Sequence, residues 1–276
     1  MNKQLKYLDE FIDLYKTRPI KNNLGGMGFN HSYSLYKILK DLNPSLVVES
    51  GVWKGHSTYI IEAALPKVKI VCLDLDFSRL EFKSHNAEYI SDDFNNIDWS
   101  KYNDIQSALC FFDDHQNSLE RLKEMRWWGF QKAIFEDNYP INEGDAYSIK
   151  QVMANTGHKN IQLSQDYLPS RKIERLKRLI EERVLNKYYH RQNMLVMPNN
   201  IDSQGLNYNI KKLQELPAVI TNSENQWGKK WQGEYQKVDD LISEKDLINF
   251  PVFEKYYLDA DKKDFHYYYM TFIELN

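Results

Sequence analysis

Over the first 140 positions of this chain, the apolar residues alternate between short continuous runs and stripes that recur every three or four residues. A continuous run is typical of a strand covered on both faces, and a stripe is typical of a helix that packs on one face. The runs predict strands over 46–48, 68–74, 87–94, 107–112 and 132–135. Because helical stripes separate these runs, we predict an α/β protein with a doubly wound, mostly parallel Rossmann-like sheet and helices on both faces.

The segments that flank this core have other patterns. Helices are predicted over 3–16, over 32–42 with Asn30 or Ser32 as the cap, near 79–85, over 118–128, and, after Pro140, over 145–153 and 170–189. Residues 24–31 contain three glycines and form either a flexible connector or a lid over the turn that follows the first predicted strand. Residues 195–250 are mixed and loop-rich, and the aromatic run over 266–275 predicts a terminal strand.

The composition is that of an ordinary globular protein, with 42% hydrophobic and 27% charged residues in 276 positions. A net charge of −3 argues against a nucleic-acid-binding protein, which usually carries a basic excess. No apolar run approaches the roughly 18 residues of a membrane span, and the N-terminus lacks the apolar core of a signal peptide. Cys72 and Cys110 both fall inside predicted strands and suggest no disulfide framework, so we expect a reducing cytoplasm.

A glycine-bearing turn follows the first predicted strand and leads into a helix that runs to about Leu65. Gly51 and Gly55 stand where a β-carbon would obstruct a tight turn or the approach of the backbone to a ligand. The helix that opens at His56 and Ser57 would present unpaired N–H groups to whatever lies over the turn. The spacing is not the G-x-G-x-x-G of dinucleotide-binding proteins, and strand–glycine–helix turns occur in many α/β proteins.

The second predicted strand ends in Asp74, about 25 positions after Glu49. That spacing suits a carboxylate that accepts hydrogen bonds from the ribose of a nucleotide cofactor. Alternatively, an acidic residue after a strand caps the next helix, and Asp76 is better placed for that task.

Acidic residues also end the fourth and fifth predicted strands, in the runs 113–115 (Asp-Asp-His) and 136–138 (Glu-Asp-Asn). Neighbouring parallel strands would bring four carboxylates, an amide and an imidazole to one edge of the sheet. Carboxylates that lie so close repel one another unless a positive charge lies between them. The sequence therefore favours a site for a hard divalent cation, although helix caps would explain either run separately.

The glycine turn and the two acidic runs together resemble a known group of enzymes. Glu49-x-Gly51-x-x-x-Gly55 resembles motif I of the class I S-adenosylmethionine (SAM) methyltransferases. Residues 111–116, followed by 129–130 and 134–138, resemble the metal-dependent O-methyltransferases. These include the catechol enzymes and, more closely, the macrolide-sugar enzymes and their cephalosporin-hydroxylase-like relatives. The resemblance covers roughly residues 30–150.

The resemblance implies roles for individual residues. It implies cofactor contacts at Glu49, Gly51, Gly55, Ser57, Asp74 and Asp93, Mg²⁺ ligands at Asp113, Glu136 and Asp137, and catalytic roles for Asp113 and for His115 as the base. Asp114 and Asn138 are adjacent candidates for the ion ligands. The chain departs from the catechol-type enzymes at Gln116, where they carry a lysine, and the offset of His115 differs from that in the sugar enzymes.

The implied function is SAM-dependent O-methyl transfer, assisted by Mg²⁺, to a hydroxyl of a small polar acceptor. Acceptor classes are a sugar, a nucleotide-sugar or capsule-type glycan precursor, a natural product, or a phosphoramidate. The alternatives are a nicotinamide-dependent oxidoreductase and a non-catalytic, methyltransferase-like partner subunit. We expect a small-molecule partner rather than nucleic acid or a membrane, with a homodimer as the candidate assembly.

We predict three parts of the chain on this basis. Residues 1–43 form an N-terminal helical lid or cap, residues 44–160 form the SAM-binding core, and residues 161–276 form a substrate-binding insertion with a terminal strand that completes the sheet.

Overall fold

The computed structural model describes residues 3–140, 146–154, 209–222, 224, 238–266 and 268–276. The predicted helix over 170–189 lies outside the described residues. Within them, the strands are β1 (Leu46–Ser50), β2 (Lys69–Leu73), β3 (Ala87–Ile90), β4 (Leu109–Phe112), β5 (Lys132–Phe135), β6 (Ile210–Leu216) and β7 (Met270–Leu275). The α-helices are α1 (Leu8–Thr17), α2 (Phe29–Leu42), α3 (His56–Ala64), α4 (Ser118–Trp128), α5 (Ile149–Met153) and α6 (Pro251–Asp259).

The seven described strands form one sheet in the order β3-β2-β1-β4-β5-β7-β6. The first five strands are parallel to their neighbours, and β7 is antiparallel to both β5 and β6. The order reverses direction at β1, so the chain winds outward first on one side and then on the other. This is the doubly wound, mostly parallel Rossmann-like sheet that the sequence predicts, and the predicted terminal strand is β7.

Neighbouring residues of the central strands serve two separate cores. Val47 and Ile70 pack with the apolar faces of α1, α2, α3 and α6 on one side of the sheet. Val48 and Val71 pack with those of α4 and α5 on the other side. Successive side chains of a strand point to opposite faces, so a central strand covered on both faces must be apolar throughout.

The N-terminal helices belong to the first of these cores. The ring of Phe29 lies 5.0–5.8 Å, between ring centroids, from those of Phe11, Tyr15, Phe253, Tyr256 and Phe265. Ring pairs of this kind contribute about 0.5–1.5 kcal/mol each beyond their burial. The start of the chain is therefore packed against its C-terminal part, while the division into three parts stays a prediction.

The structure differs from the predicted elements in three places. The helix predicted near 79–85 is wrong: a single 3-10 turn (Phe77–Arg79) is followed by extended chain, because the backbone N–H groups of Glu81 and Phe82 donate to the carbonyl of Lys54. Asn30 does not cap α2, since its side chain hydrogen-bonds the backbone at Val219 and Ile220. Strand β6 lies within residues 195–250, which the sequence predicts to be loop-rich, and helix α6 is not predicted.

No α-helix in the described part of the chain is both long enough and apolar enough to span a membrane.

The turn after β1 is fixed by the close approach of β4. Gly51 has a φ of +90°, and a β-carbon placed there would lie 2.1 Å from the backbone oxygen of Asp113. The N–H of Asp113 donates to the carbonyl of Ser50 at 2.8 Å, which holds the two strand ends together. Gly51 is therefore required by the backbone of the neighbouring strand, whatever ligand lies above it.

We expect Gly51→Ala to destabilise the protein far more than Gly129→Ala. Gly129 also has a positive φ, of +91°, but the nearest atom to a β-carbon there is 3.8 Å away. Gly129→Ala should cost the strain of the left-handed backbone alone, about 1–2 kcal/mol. Gly51→Ala adds a backbone collision and should cost about 4 kcal/mol or more. Urea unfolding of the two variants measures the difference; equal losses would contradict the assignment.

Candidate functional site

A cleft lies at the carboxyl ends of β1 to β4, where open parallel sheets place their ligands. Its empty volume is about 930 Å³, including the open solvent at its mouth. It is lined by Gly25, Gly26, Ser50, Gly51, Trp53, Leu73, Asp74, Leu75, Asp92, Asp93, Asp113, Asp114, His115 and Gln116. The lining that the structure describes thus includes five aspartates and neither lysine nor arginine.

Asp74 organises the glycine turn as well as facing the cleft. Its Oδ2 atom accepts hydrogen bonds from the backbone N–H groups of Val52 at 2.9 Å and Trp53 at 2.8 Å. Its Oδ1 atom accepts one from the N–H of Asp76. A carboxylate oxygen can accept two hydrogen bonds, so Oδ1 retains capacity for a ligand hydroxyl. Asp76 makes the helix cap that the sequence suggested, on the turn that begins at Phe77.

Glu49 and Ser57 meet beneath the turn rather than in the cleft. Glu49 is 0% exposed, and the side chains of Ser57, Thr58 and Cys72 donate to its carboxylate. The first turn of α3 is buried, and a β-carbon at Gly55 would meet the backbone oxygen of Phe82. Residues 55–57 therefore do not line the cleft, and the cofactor roles of Glu49, Gly55 and Ser57 stay predictions.

The acidic residues that follow β3, β4 and β5 form an acidic rim at this edge of the sheet. A buried arginine that the sequence analysis missed neutralises part of this rim. Arg121 of α4 is 4% exposed, and its guanidinium pairs with Asp93, Asp114 and Glu124. Asp114 also accepts a hydrogen bond from the hydroxyl of Ser50 at 2.6 Å. The signal was in the sequence: position 121 lies on the inward face of its helix, where a charged residue needs partners.

Two other acids of the rim, together with a histidine, form a compact acidic group. Ligand atoms of Asp113, His115 and Asp137 all lie within 4.8 Å of one another. The Nδ1 atom of His115 is 2.8 Å from the Oδ2 atom of Asp137. Burial, followed by the negative charge of Asp137, raises the pKa of Asp113 well above its usual range. Burial acts to raise the pKa of Asp137 as well, but the contact with His115 lowers it to about 2.

The other predicted ion ligands have different partners. The Oε1 atom of Glu136 lies 3.3 Å from the Nε2 atom of His31, a buried residue of α2. Asn138 is buried, and its side-chain oxygen accepts a hydrogen bond from the backbone N–H of Lys150. Asp114 is held by Arg121. Of the three predicted ligands, Asp113 and Asp137 come together, and His115 completes the group in place of Glu136.

Comparisons with known proteins found similarity at the level of structure. No protein-family model and no curated protein matches the chain. CmcI with SAH is 18% identical, over 38% of this chain and 59% of its own, with a TM-score of 0.34. The SAH-bound methyltransferase PaMTH1 from Podospora anserina is 16% identical, over 50% and 62%, with a TM-score of 0.34. An O-methyltransferase from Bacillus cereus in complex with SAH is 14% identical, over 57% and 72%, with a TM-score of 0.36.

The first three similar structures, all of CmcI, are matched over 51–64% of their own length. Similarity of this extent supports no conclusion about what the present chain binds.

The pH dependence of stability should reveal the buried Glu49. Burial raises the pKa of Glu49 to about 7 in the folded protein, although three side chains donate to it. The unfolded chain loses this proton near its usual pKa of about 4.3 and the folded protein only near neutrality, so Glu49 lowers stability as the pH rises between these values. In urea unfolding from pH 4 to 8, the wild type should lose on the order of 3 kcal/mol relative to Glu49→Gln. A pH-independent difference would contradict this.

Proposed function

We propose that this chain is a SAM-dependent O-methyltransferase that acts on a hydroxyl of a small polar acceptor with the help of a divalent cation. The observation that carries the proposal is the charge of the cleft. Two of its five aspartates, Asp93 and Asp114, are neutralised by Arg121. Asp74, Asp92 and Asp113 remain, with no lysine or arginine in the described lining. The negative charge of the cleft therefore favours a ligand that carries positive charge.

SAM fits this requirement and a nicotinamide dinucleotide does not. SAM carries a sulfonium and an ammonium group, which the carboxylates of the cleft would attract, whereas the diphosphate of a dinucleotide would be repelled. Diphosphates are bound by a glycine-rich turn and an open helix N-terminus, but the first turn of α3 is buried here. These features favour methyl transfer over the alternative of nicotinamide-dependent oxidation.

The walls of the cleft suit the remaining parts of SAM. Oδ1 of Asp74 would accept a hydrogen bond from a ribose hydroxyl, and Leu75 and Trp53 offer apolar surface to the adenine. Leu75 is 47% exposed in the structure, so its side chain is accessible to a ligand in the cleft. When bound, SAM supplies an electrophilic methyl group.

We expect Leu75→Lys to weaken SAM binding by at least tenfold, or about 1.4 kcal/mol, because it places a cation among the carboxylates that attract the sulfonium. The neutral thioether S-adenosylhomocysteine should lose less affinity than SAM. Leu258→Lys is the matched control, since Leu258 is 65% exposed on α6 and does not line the cleft. Isothermal titration calorimetry measures both ligands; unchanged SAM affinity in folded Leu75→Lys would remove the cleft from the proposal.

The acidic group fits a divalent cation. Asp113 and Asp137 are held close together, and the raised pKa of Asp113 shows that its negative charge is costly without a compensating positive charge. Mg²⁺ needs only one or two carboxylates, with water and substrate oxygens completing its shell. Asp113 and Asp137 would hold the ion, which supplies the Lewis acidity that lowers the pKa of an acceptor hydroxyl.

His115 is the best-placed base. Asp137 contacts its Nδ1 atom, which orients the ring and would stabilise its protonated form. The proton of the acceptor hydroxyl would pass to the Nε2 atom, on the opposite side of the imidazole. The backbone φ of His115 is +53°, a strained value for a residue with a side chain. Trp53, which lines the same cleft, has a similarly strained φ of +46°. Backbone strain of this kind persists only where the surrounding structure enforces it, and it is common at active sites.

The acceptor class remains that implied by the resemblance: a sugar, a nucleotide-sugar or glycan precursor, a natural product, or a phosphoramidate. A cytoplasmic location and a homodimer belong to the same proposal. The third alternative, a non-catalytic partner subunit, gives no reason for retaining mutually repelling carboxylates beside an oriented imidazole.

Methyl transfer should require a divalent cation. Release of S-adenosylhomocysteine from SAM, measured with a panel of hydroxylated sugars and nucleotide-sugars, should cease in EDTA and return with excess Mg²⁺. Asp137→Asn should abolish turnover but leave SAM affinity nearly unchanged, because Asp137 belongs to the ion group and does not line the cleft. Asp104→Asn, which removes an exposed surface carboxylate, is the control. Full activity in EDTA would reassign Asp113 and Asp137 to direct contacts with the acceptor.

The same assay, combined with calorimetric titration of Mn²⁺, separates the two roles available to His115. As the base, His115→Ala should lose about 10²–10⁴ in rate and still bind Mn²⁺. Loss of Mn²⁺ binding in this variant would make the imidazole an ion ligand instead.

A further inference from the structure

His31 lies in the first turn of α2, on a segment that the sequence analysis treated only as the end of a glycine-rich lid. It is 2% exposed, and its Nε2 atom lies 3.3 Å from the Oε1 atom of Glu136, just beyond the end of β5. The N-terminal helical region therefore reaches the acidic rim through one buried contact.

Two aromatic neighbours fix the ring of His31. The ring centroid of His266 lies 5.0 Å away and that of Tyr268 lies 4.9 Å away. The hydroxyl of Tyr268 donates to the hydroxyl of Ser34, one turn further along α2, at 2.6 Å. The imidazole of His31, which is carried by α2, is thus packed against the chain that leads into β7. It has little freedom to turn away from Glu136.

Glu136 connects His31 to the acidic group of Asp113, His115 and Asp137. Its carboxyl group interacts electrostatically with that of the adjacent Asp137, and Asp137 in turn meets Nδ1 of His115 at 2.8 Å. A continuous chain of polar contacts therefore runs from α2 to the group of Asp113, His115 and Asp137.

We propose that His31 is a positioning residue for the ion site: through Glu136 it fixes the carboxylate of Asp137 in the orientation that faces Asp113. The inference rests on the proposed function, since it concerns the same ion. Groups that orient a metal-binding carboxylate from behind commonly change metal affinity 10–100-fold when removed. This assigns Glu136 to the support of Asp137 rather than to the ion itself.

A purely structural role does not account for this choice of residue. The ring neighbours of His31 are His266 and Tyr268, both buried, and an apolar side chain would pack there without burying a polar ring against a carboxyl group. Such an arrangement is costly unless the contact with Glu136 is itself useful.

The test is calorimetric titration of the full chain with Mn²⁺, in the absence of SAM and acceptor. His31→Asn keeps a buried polar residue but is too short to reach Glu136, and should weaken Mn²⁺ binding at least tenfold. His31→Gln places its amide near the position of Nε2 and should bind within about threefold of wild type, as partial retention of an outer contact predicts. His56→Asn is the matched control, because His56 is also buried but contacts Ser32 rather than the acidic rim.

A double-mutant cycle with Glu136→Gln identifies the path. If His31 acts through Glu136, then His31→Asn should cost much less Mn²⁺ affinity in the Glu136→Gln background than in the wild type. Equal Mn²⁺ affinity of His31→Asn and wild type would overturn the role of His31 and leave the ion site standing. An equal loss in His56→Asn would also overturn it, since the effect would then be one of general destabilisation. Absence of Mn²⁺ binding by the wild type would overturn the ion site and this inference together.

Discussion

The contact on which the site depends is the backbone approach of β4 to the turn after β1. The N–H of Asp113 donates to the carbonyl of Ser50, and its own carbonyl oxygen occupies the space that a side chain at position 51 would need. This approach places the first residue of the acidic rim directly against the floor of the cleft. The distance between the proposed cofactor and the proposed ion would thus be set by sheet geometry, which is rigid, and not by a loop.

Electrostatics then divides the acidic residues into three sets. Arg121 neutralises Asp93, which follows β3, and Asp114, which follows β4. Hydroxyl and thiol donors surround Glu49, which is buried beneath the turn. Only the third set, which faces the cleft and the rim, is left without a described cation. Because neighbouring carboxylates repel one another, this set favours positive charge supplied from outside the chain. The proposed ligands, a sulfonium cofactor and a divalent ion, both meet that need.

The sequence predicted the fold well because its signals are local. Apolar runs and helical stripes mark strands and helices from the pattern of neighbouring residues alone. It predicted the rim less well, because pairing depends on which strand ends become neighbours in space. Nothing in the run 113–115 reveals that Asp114 turns to Arg121 while Asp113 turns to Asp137. Nor does any local pattern reveal that His31 contacts Glu136 across more than 100 residues of chain.

We propose that the cleft binds SAM because its charge is negative. The most direct test is calorimetric titration of the unaltered protein with SAM and with NAD⁺, at low and at physiological ionic strength. The account predicts that SAM binds, that its affinity falls as salt screens the carboxylates, and that NAD⁺ does not bind at either ionic strength. Binding of NAD⁺ without binding of SAM would contradict the account.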